Sequence, residues 1–166
     1  MRKIFIVVIF TTLSVIGYSS MGLALEGEKT AVIIGRCNEI KKNIKKLQVA
    51  DANTRVALGR EYENILTKLM TNMNSRLAQN HSSAGNLLET AAGFSNKLDL
   101  FRELYRNYDQ KIETLLTINC EKDPAEFYET LEESRTKRSQ VQAAHVELIS
   151  IAEAYDAELM TIWGAK

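Results

Sequence analysis

The chain has 166 residues, 45% of them apolar and 25% charged, with 21 basic side chains against 21 acidic ones. That length supports one ordinary core rather than two, and the charge balance lacks the basic excess that nucleic-acid binding requires. One proline and eight glycines leave too little turn chemistry for the many short loops of a sandwich or barrel, so a few long helices are expected instead.

Met1-Arg2-Lys3 followed by the uncharged run Ile4 to Ile16 has the form of a secretory leader, and Gly22-Leu23-Ala24 offers small residues where a signal peptidase cuts. Cleavage between Ala24 and Leu25 is the first expectation. It would remove residues 1–24 with Arg2 and Lys3, leaving 19 basic against 21 acidic residues, a net charge of −2. The rival reading is an uncleaved anchor over residues 4–25, long enough for about 30 Å of hydrocarbon. Either way the single domain, residues 25–166, is expected outside the cytoplasm: periplasmic, extracellular or at the cell surface.

From about Thr30, Ile33, Cys37, Ile40, Ile44 and Leu47 recur at three-four spacing, with Lys41, Lys42, Lys45 and Lys46 on the opposite side. This is an amphipathic helix. Asp51 and Thr54 interrupt the stripe, and Gly59 lowers helix propensity by about 1 kcal/mol, so a kink or break is expected near residues 49–59. Tyr62, Ile65, Leu69, Met73 and Leu77 then resume it, which carries the first helix to about residue 78.

Residues 79–85, small and polar, read as a helix-to-helix turn. The second helix, about 86–119, carries the strongest stripe: Phe94, Leu98, Phe101, Tyr105, Tyr108, Ile112 and Leu115, preceded by Leu87 and Ala91. Such a seam belongs to a helix packed along its length, about 50 Å at the helical rise.

Asp123-Pro124 with Glu126 is a helix-start signal: a cap, a proline in the first helical position, and a capping-box carboxylate. The third helix, from Pro124 to about Trp163, has a seam of Leu131, Ser134, Arg138, Val141, His145, Leu148, Ala152, Tyr155, Leu159 and Ile162. Ser134, Arg138 and His145 form a polar part of that seam, and polar groups there can fix register between helices. The expected fold is all-α: an elongated up-down-up three-helix bundle, in effect a coiled-coil hairpin plus a third helix. Glu126, Glu129, Glu132 and Glu133 would then lie at the same end as Lys41, Lys42, Lys45 and Lys46, complementary blocks that favour this arrangement.

Cys37 and Cys120 are the only cysteines, and an exported chain can keep a disulfide. Strict antiparallel pairing sets Cys120 opposite about residue 44, roughly 10 Å along the axis from Cys37. An intrachain bond therefore requires the second helix to unwind at its end, and free thiols or an intermolecular bond are the alternatives.

No constellation for chemistry emerges. His145 lacks the Glu-x-x-His partner of a di-iron bundle, Gln142 standing three residues before it. No Cys-x-x-Cys-His motif is present, and His81 lies in the polar turn. The expected chain has no enzymatic activity, no metal and no cofactor. It acts as a structural or protein-interaction module, meeting an unknown protein partner or itself, with the basic clusters as contacts for a membrane surface or an anionic envelope polymer. The alternatives are a sensory bundle holding a small ligand between helices near His145 and the tyrosines, and a membrane-anchored adaptor.

Overall fold

The computed structural model describes residues 19–80 and 85–164, with side chains described over 27–80 and 86–164. The expected leader, its cleavage site and the rival anchor fall on residues 1–25, of which 1–18 lie outside the described residues and the rest are described by backbone alone. His81 also lies outside them. Among the described residues, no helix is long and apolar enough to cross a membrane.

Three rods make the fold. The first is α1 (Ser19–Asn64), a π-helical turn (Ile65–Met70) and α2 (Thr71–Gln79); the second is α3 (Gly85–Thr117); the third is α4 (Pro124–Gly164). Cys37 on the first rod meets Cys120 just beyond α3, and Asn74 near the first rod's other end meets Leu87 near the start of α3. Those two rods are therefore antiparallel, and α4 runs back beside the first. The bundle is up-down-up, with no strand among the described residues.

All seven residues of the α3 stripe from Phe94 to Leu115 are buried, and the most extensive contact in the fold is between α3 and α4. Two apolar clusters result. One, toward the α2–α3 end, gathers Tyr62, Met70, Leu87, Phe94, Phe101, Leu148 and Tyr155. The other, toward the cysteines, gathers Ile33, Ile44, Tyr108, Ile112, Leu115 and Phe127.

The first rod departs from expectation in two places. Residues 49–59 carry no kink; the one non-helical backbone position inside α1 is Arg36, at φ −125° and ψ 17°. Asp51 is tolerated on the inner face because Arg138 and Tyr108 satisfy its carboxylate, so the helix need not break to release it. The second departure is the π-turn, where both the backbone N–H and the hydroxyl of Thr71 donate to the carbonyl of Leu66, five residues back. The wider turn accommodates one additional residue, and the inward face moves on by one. Leu69, expected inside, is 45% exposed, while Met70 is 0% exposed and Asn74 is buried.

At the second turn, α3 ends at Thr117 and the chain unwinds through Ile118 and Asn119, bringing the Cα atoms of Cys37 and Cys120 to 5.7 Å, disulfide distance. Asn119 organises the turn: its side-chain oxygen accepts from the N–H groups of Glu121 and Lys122, and its carbonyl accepts from Asp123 at 2.8 Å. The carbonyl of Asp123 then takes the first bond of α4, from Phe127. Glu126–Glu133 and Lys41–Lys46 lie toward the same end of the bundle, but among the described residues no ion pair joins the two blocks. Lys41 instead donates to the carbonyl of Leu116 near the C-terminus of α3, where a cation is favoured, and Glu133 pairs with Lys111.

Candidate functional site

Between the two clusters the inner face of α1 turns polar. Leu47, expected on the seam, is exposed, and Gln48 is buried in its place; its amide donates to Asp109 of α3 at 2.9 Å. One turn on, Asp51 receives the guanidinium of Arg138 through Nε at 2.8 Å and Nη2 at 2.9 Å, and the hydroxyl of Tyr108 at 2.7 Å. Three rods thus meet at one carboxylate. Burial pushes the Asp51 pKa up, but the bonds from Arg138 and Tyr108 outweigh it and hold the group below the usual carboxylate value. The Tyr108 hydroxyl is driven upward by burial and by bonding to that anion, so it remains a donor.

Another turn along, Arg55 stands over the ring of Tyr105, its guanidinium carbon 4.7 Å from the ring centre. Two polar atoms here are buried without a partner: Nε of Arg55 and the hydroxyl of Tyr105. Tyr105 is only 4% exposed, and leaving such a group unsatisfied costs about 1–3 kcal/mol. Burial and the nearby Asp109 carboxylate raise its pKa, which keeps the hydroxyl protonated.

The third polar junction is Tyr62 on α1 with His145 on α4, whose Nδ1 is in close contact with the Tyr62 hydroxyl. The Tyr62 ring also meets Phe94 and Phe101 edge-on.

Asp51, Arg55, Tyr105, Tyr108, Arg138 and His145 line a groove of about 340 Å³ walled by all three rods. Its polar wall is Asp51, Arg55, Arg138 and His145; its apolar wall is Leu58, Phe101, Tyr105 and Val141. The volume is at the low end for small-molecule sites, and an apolar lining with a few convergent polar groups is their usual composition. A second cavity of about 290 Å³ lies on the far side of Tyr108 and Arg138, walled mainly by Ile40, Ile44, Leu47, Ile112 and Leu131.

Of the polar seam expected on α4, Arg138 and His145 both line the groove and both reach α1, whereas Ser134 is buried and donates to the carbonyl of Thr130 within its own helix. Cys37 and Cys120 are buried in the neighbouring cluster and do not line the groove. Arg55 escaped the sequence reading because arginine at a helical position ordinarily signals a solvated face. Asp51 and Arg138 carried a usable signal: Asp51 stands 14 residues after Cys37 and Arg138 stands 14 residues after Pro124. In parallel rods starting from one end, equal depth places opposite charges side by side.

Asn74 is the other residue sequence reasoning missed. Its side-chain oxygen accepts from the Tyr155 hydroxyl at 2.9 Å, and its nitrogen donates to the Leu87 carbonyl at 3.3 Å. Tyr155 also lies 3.1 Å from the carbonyl of Met70. Among the described residues, no three His, Cys, Asp or Glu side chains converge to hold a metal. No protein-family model matches the chain, and no curated protein or solved structure shows significant similarity to it.

Proposed function

We propose that this chain is a non-enzymatic, exported binding protein that takes a small organic ligand between its first rod and the α3–α4 pair. The observation that carries this reading is the groove itself, which unites Tyr105, Tyr108 and His145 with an apolar wall and contains a buried hydroxyl that has no partner. A polar layer can fix register between rods, but that role needs its groups satisfied, and here the Tyr105 hydroxyl is left without a partner. A solid apolar core would be the more stable filling. The assignment is tested by amide chemical shifts of the full chain on adding phenylpropanol, a neutral aromatic probe. Shifts confined to residues 51–58, 101–108 and 138–145, and abolished by filling the groove with Val141→Trp, are expected. Shifts scattered over the outer surface, or none, would refute it.

A second reading, the interaction module, draws on Val146, Ile149, Met160 and Trp163, large apolar side chains left exposed along α4. Sedimentation of the full chain distinguishes it: self-association that Trp163→Ser and Ile149→Ser weaken would favour that role. The lysines at 42 and 46 are exposed and are the residues through which an anionic envelope surface would be met in either case.

A further inference from the structure

The polar groups of the groove are not equally engaged. Asp51, the one carboxylate in its lining, has Oδ2 taken by Tyr108 and Arg138 and Oδ1 taken by Arg138. The hydroxyl of Thr54 donates to the carbonyl of Ala50 in its own helix, and Nδ1 of His145 is engaged by Tyr62. Of the buried groups, the Nε–H of Arg55 and the hydroxyl of Tyr105 are left over, and both can donate; the exposed Gln142 at the rim offers a donor and an acceptor alike. Among the described residues, Arg55 enters no ion pair.

Charge points the same way. Asp51 and Arg138 neutralise each other, so Arg55 is the remaining charge of the lining itself, with the Asp109 carboxylate near Tyr105 outside it. An electron-rich ring could instead draw a cationic ligand, but the Tyr105 face is already covered by the Arg55 guanidinium. Alongside lie Leu58, Phe101 and Val141, an apolar wall with no hydrogen-bonding demand.

Resting on the ligand-binding reading above, we infer that the groove selects a small monocarboxylate with an aromatic or other apolar body. The carboxylate meets the Arg55 guanidinium and the Tyr105 hydroxyl, supplying the acceptors that both lack, and the body lies along Leu58, Phe101 and Val141. A planar guanidinium suits a carboxylate because two parallel N–H donors match its two oxygens. The Asp109 carboxylate near Tyr105 opposes a second negative charge, so a dianion is disfavoured.

Calorimetric titration of the full chain with phenylpropionate, phenylpropanol and phenylpropylamine near neutral pH tests this, since the three share a body and differ in head charge. The acid is expected to bind at least about tenfold tighter than the alcohol, and the amine no tighter than the alcohol. In Arg55→Gln the acid-to-alcohol affinity ratio should fall to within about twofold. Circular dichroism monitors folding of the variant, and if it unfolds, the wild-type acid-to-alcohol ratio should still shrink with added salt. Equal binding of the three probes, a preference for the amine, or an acid preference untouched by salt or by Arg55→Gln would overturn the anionic selectivity while leaving the groove a ligand site. Failure of all three to bind would overturn both readings.

Discussion

Toward the α2–α3 end, Met70, Leu87, Phe94, Leu148 and Tyr155 are all essentially inaccessible to water, and Tyr155 ties α4 to α2 by hydrogen bonds from inside. Toward the other end, among the described residues, α1 contributes Ile33, Cys37 and Ile44, each at the edge of burial, with Ile40 half-buried beside them, and Cys37 stands at disulfide distance from Cys120. The contrast shows two ways of holding a third rod against a helical pair. Where its inward face is broadly apolar, packing suffices; where that face is thin and gives way to Gln48, Asp51 and Arg55, a crosslink at the end and one ion pair with hydrogen bonds at the middle take over. The groove lies in the stretch held by the second means.

The sharpest break of this comparison is Cys37→Ser. Its pairing with Cys120 closes a loop of 83 residues, and in the chain-entropy model such a closure stabilises by about 4–5 kcal/mol. Urea denaturation should register that loss, and amide exchange should quicken over residues 33–48 before it does around Leu87 and Leu148. Uniform quickening along the rod would show that the two ends are not held separately. In the packed half, Met70→Ala should cost about 3 kcal/mol, because it empties a fully buried site on a π-turn that cannot collapse freely.

Smaller effects sharpen the contrast. Tyr155→Phe should cost about 1–2 kcal/mol by leaving the Asn74 oxygen and the Met70 carbonyl buried with one partner fewer. Asp51→Asn should cost about 1 kcal/mol at neutral pH, since Arg138 is half exposed and its pairing is partly screened. The sign of its pH dependence follows from a folded pKa held below the ordinary value: the stabilisation is present above that value and is lost as pH falls through the folded one. Thermal melts of wild type and variant should therefore converge in acid, and a gap that widened there would contradict the assignment. Gly59→Ala should stabilise by about 0.5–1 kcal/mol, as an added methyl at this helical position meets nothing within 4 Å.

Most of the fold was legible because α3 buries an unbroken three-four stripe and α4 keeps its own buried or half-buried except at Arg138, and periodicity reports burial directly when the helix is regular. The same rule failed on the first rod for a local reason. A π-turn adds a residue without any signal in side-chain polarity, so Leu69 was placed inside although it is exposed. The kink expected at residues 49–59 failed for a non-local reason: Asp51 looked like a flaw in the seam until its partners on two other rods were in view. His145 and Arg138 were recognised as polar seam positions, but Arg55 and Asn74 were not, since nothing in their own neighbourhoods distinguishes them from surface residues.

By itself the sequence determined that three long helices form, which face of α3 and α4 turns inward, and where the chain reverses, because spacing and capping act within a few residues. Only the tertiary structure decided which polar side chains meet, that Cys120 reaches Cys37, and that a groove opens between the rods. Those outcomes depend on how far each rod slides and turns against its neighbours, and that relative placement is a property of the packed assembly rather than of any one segment.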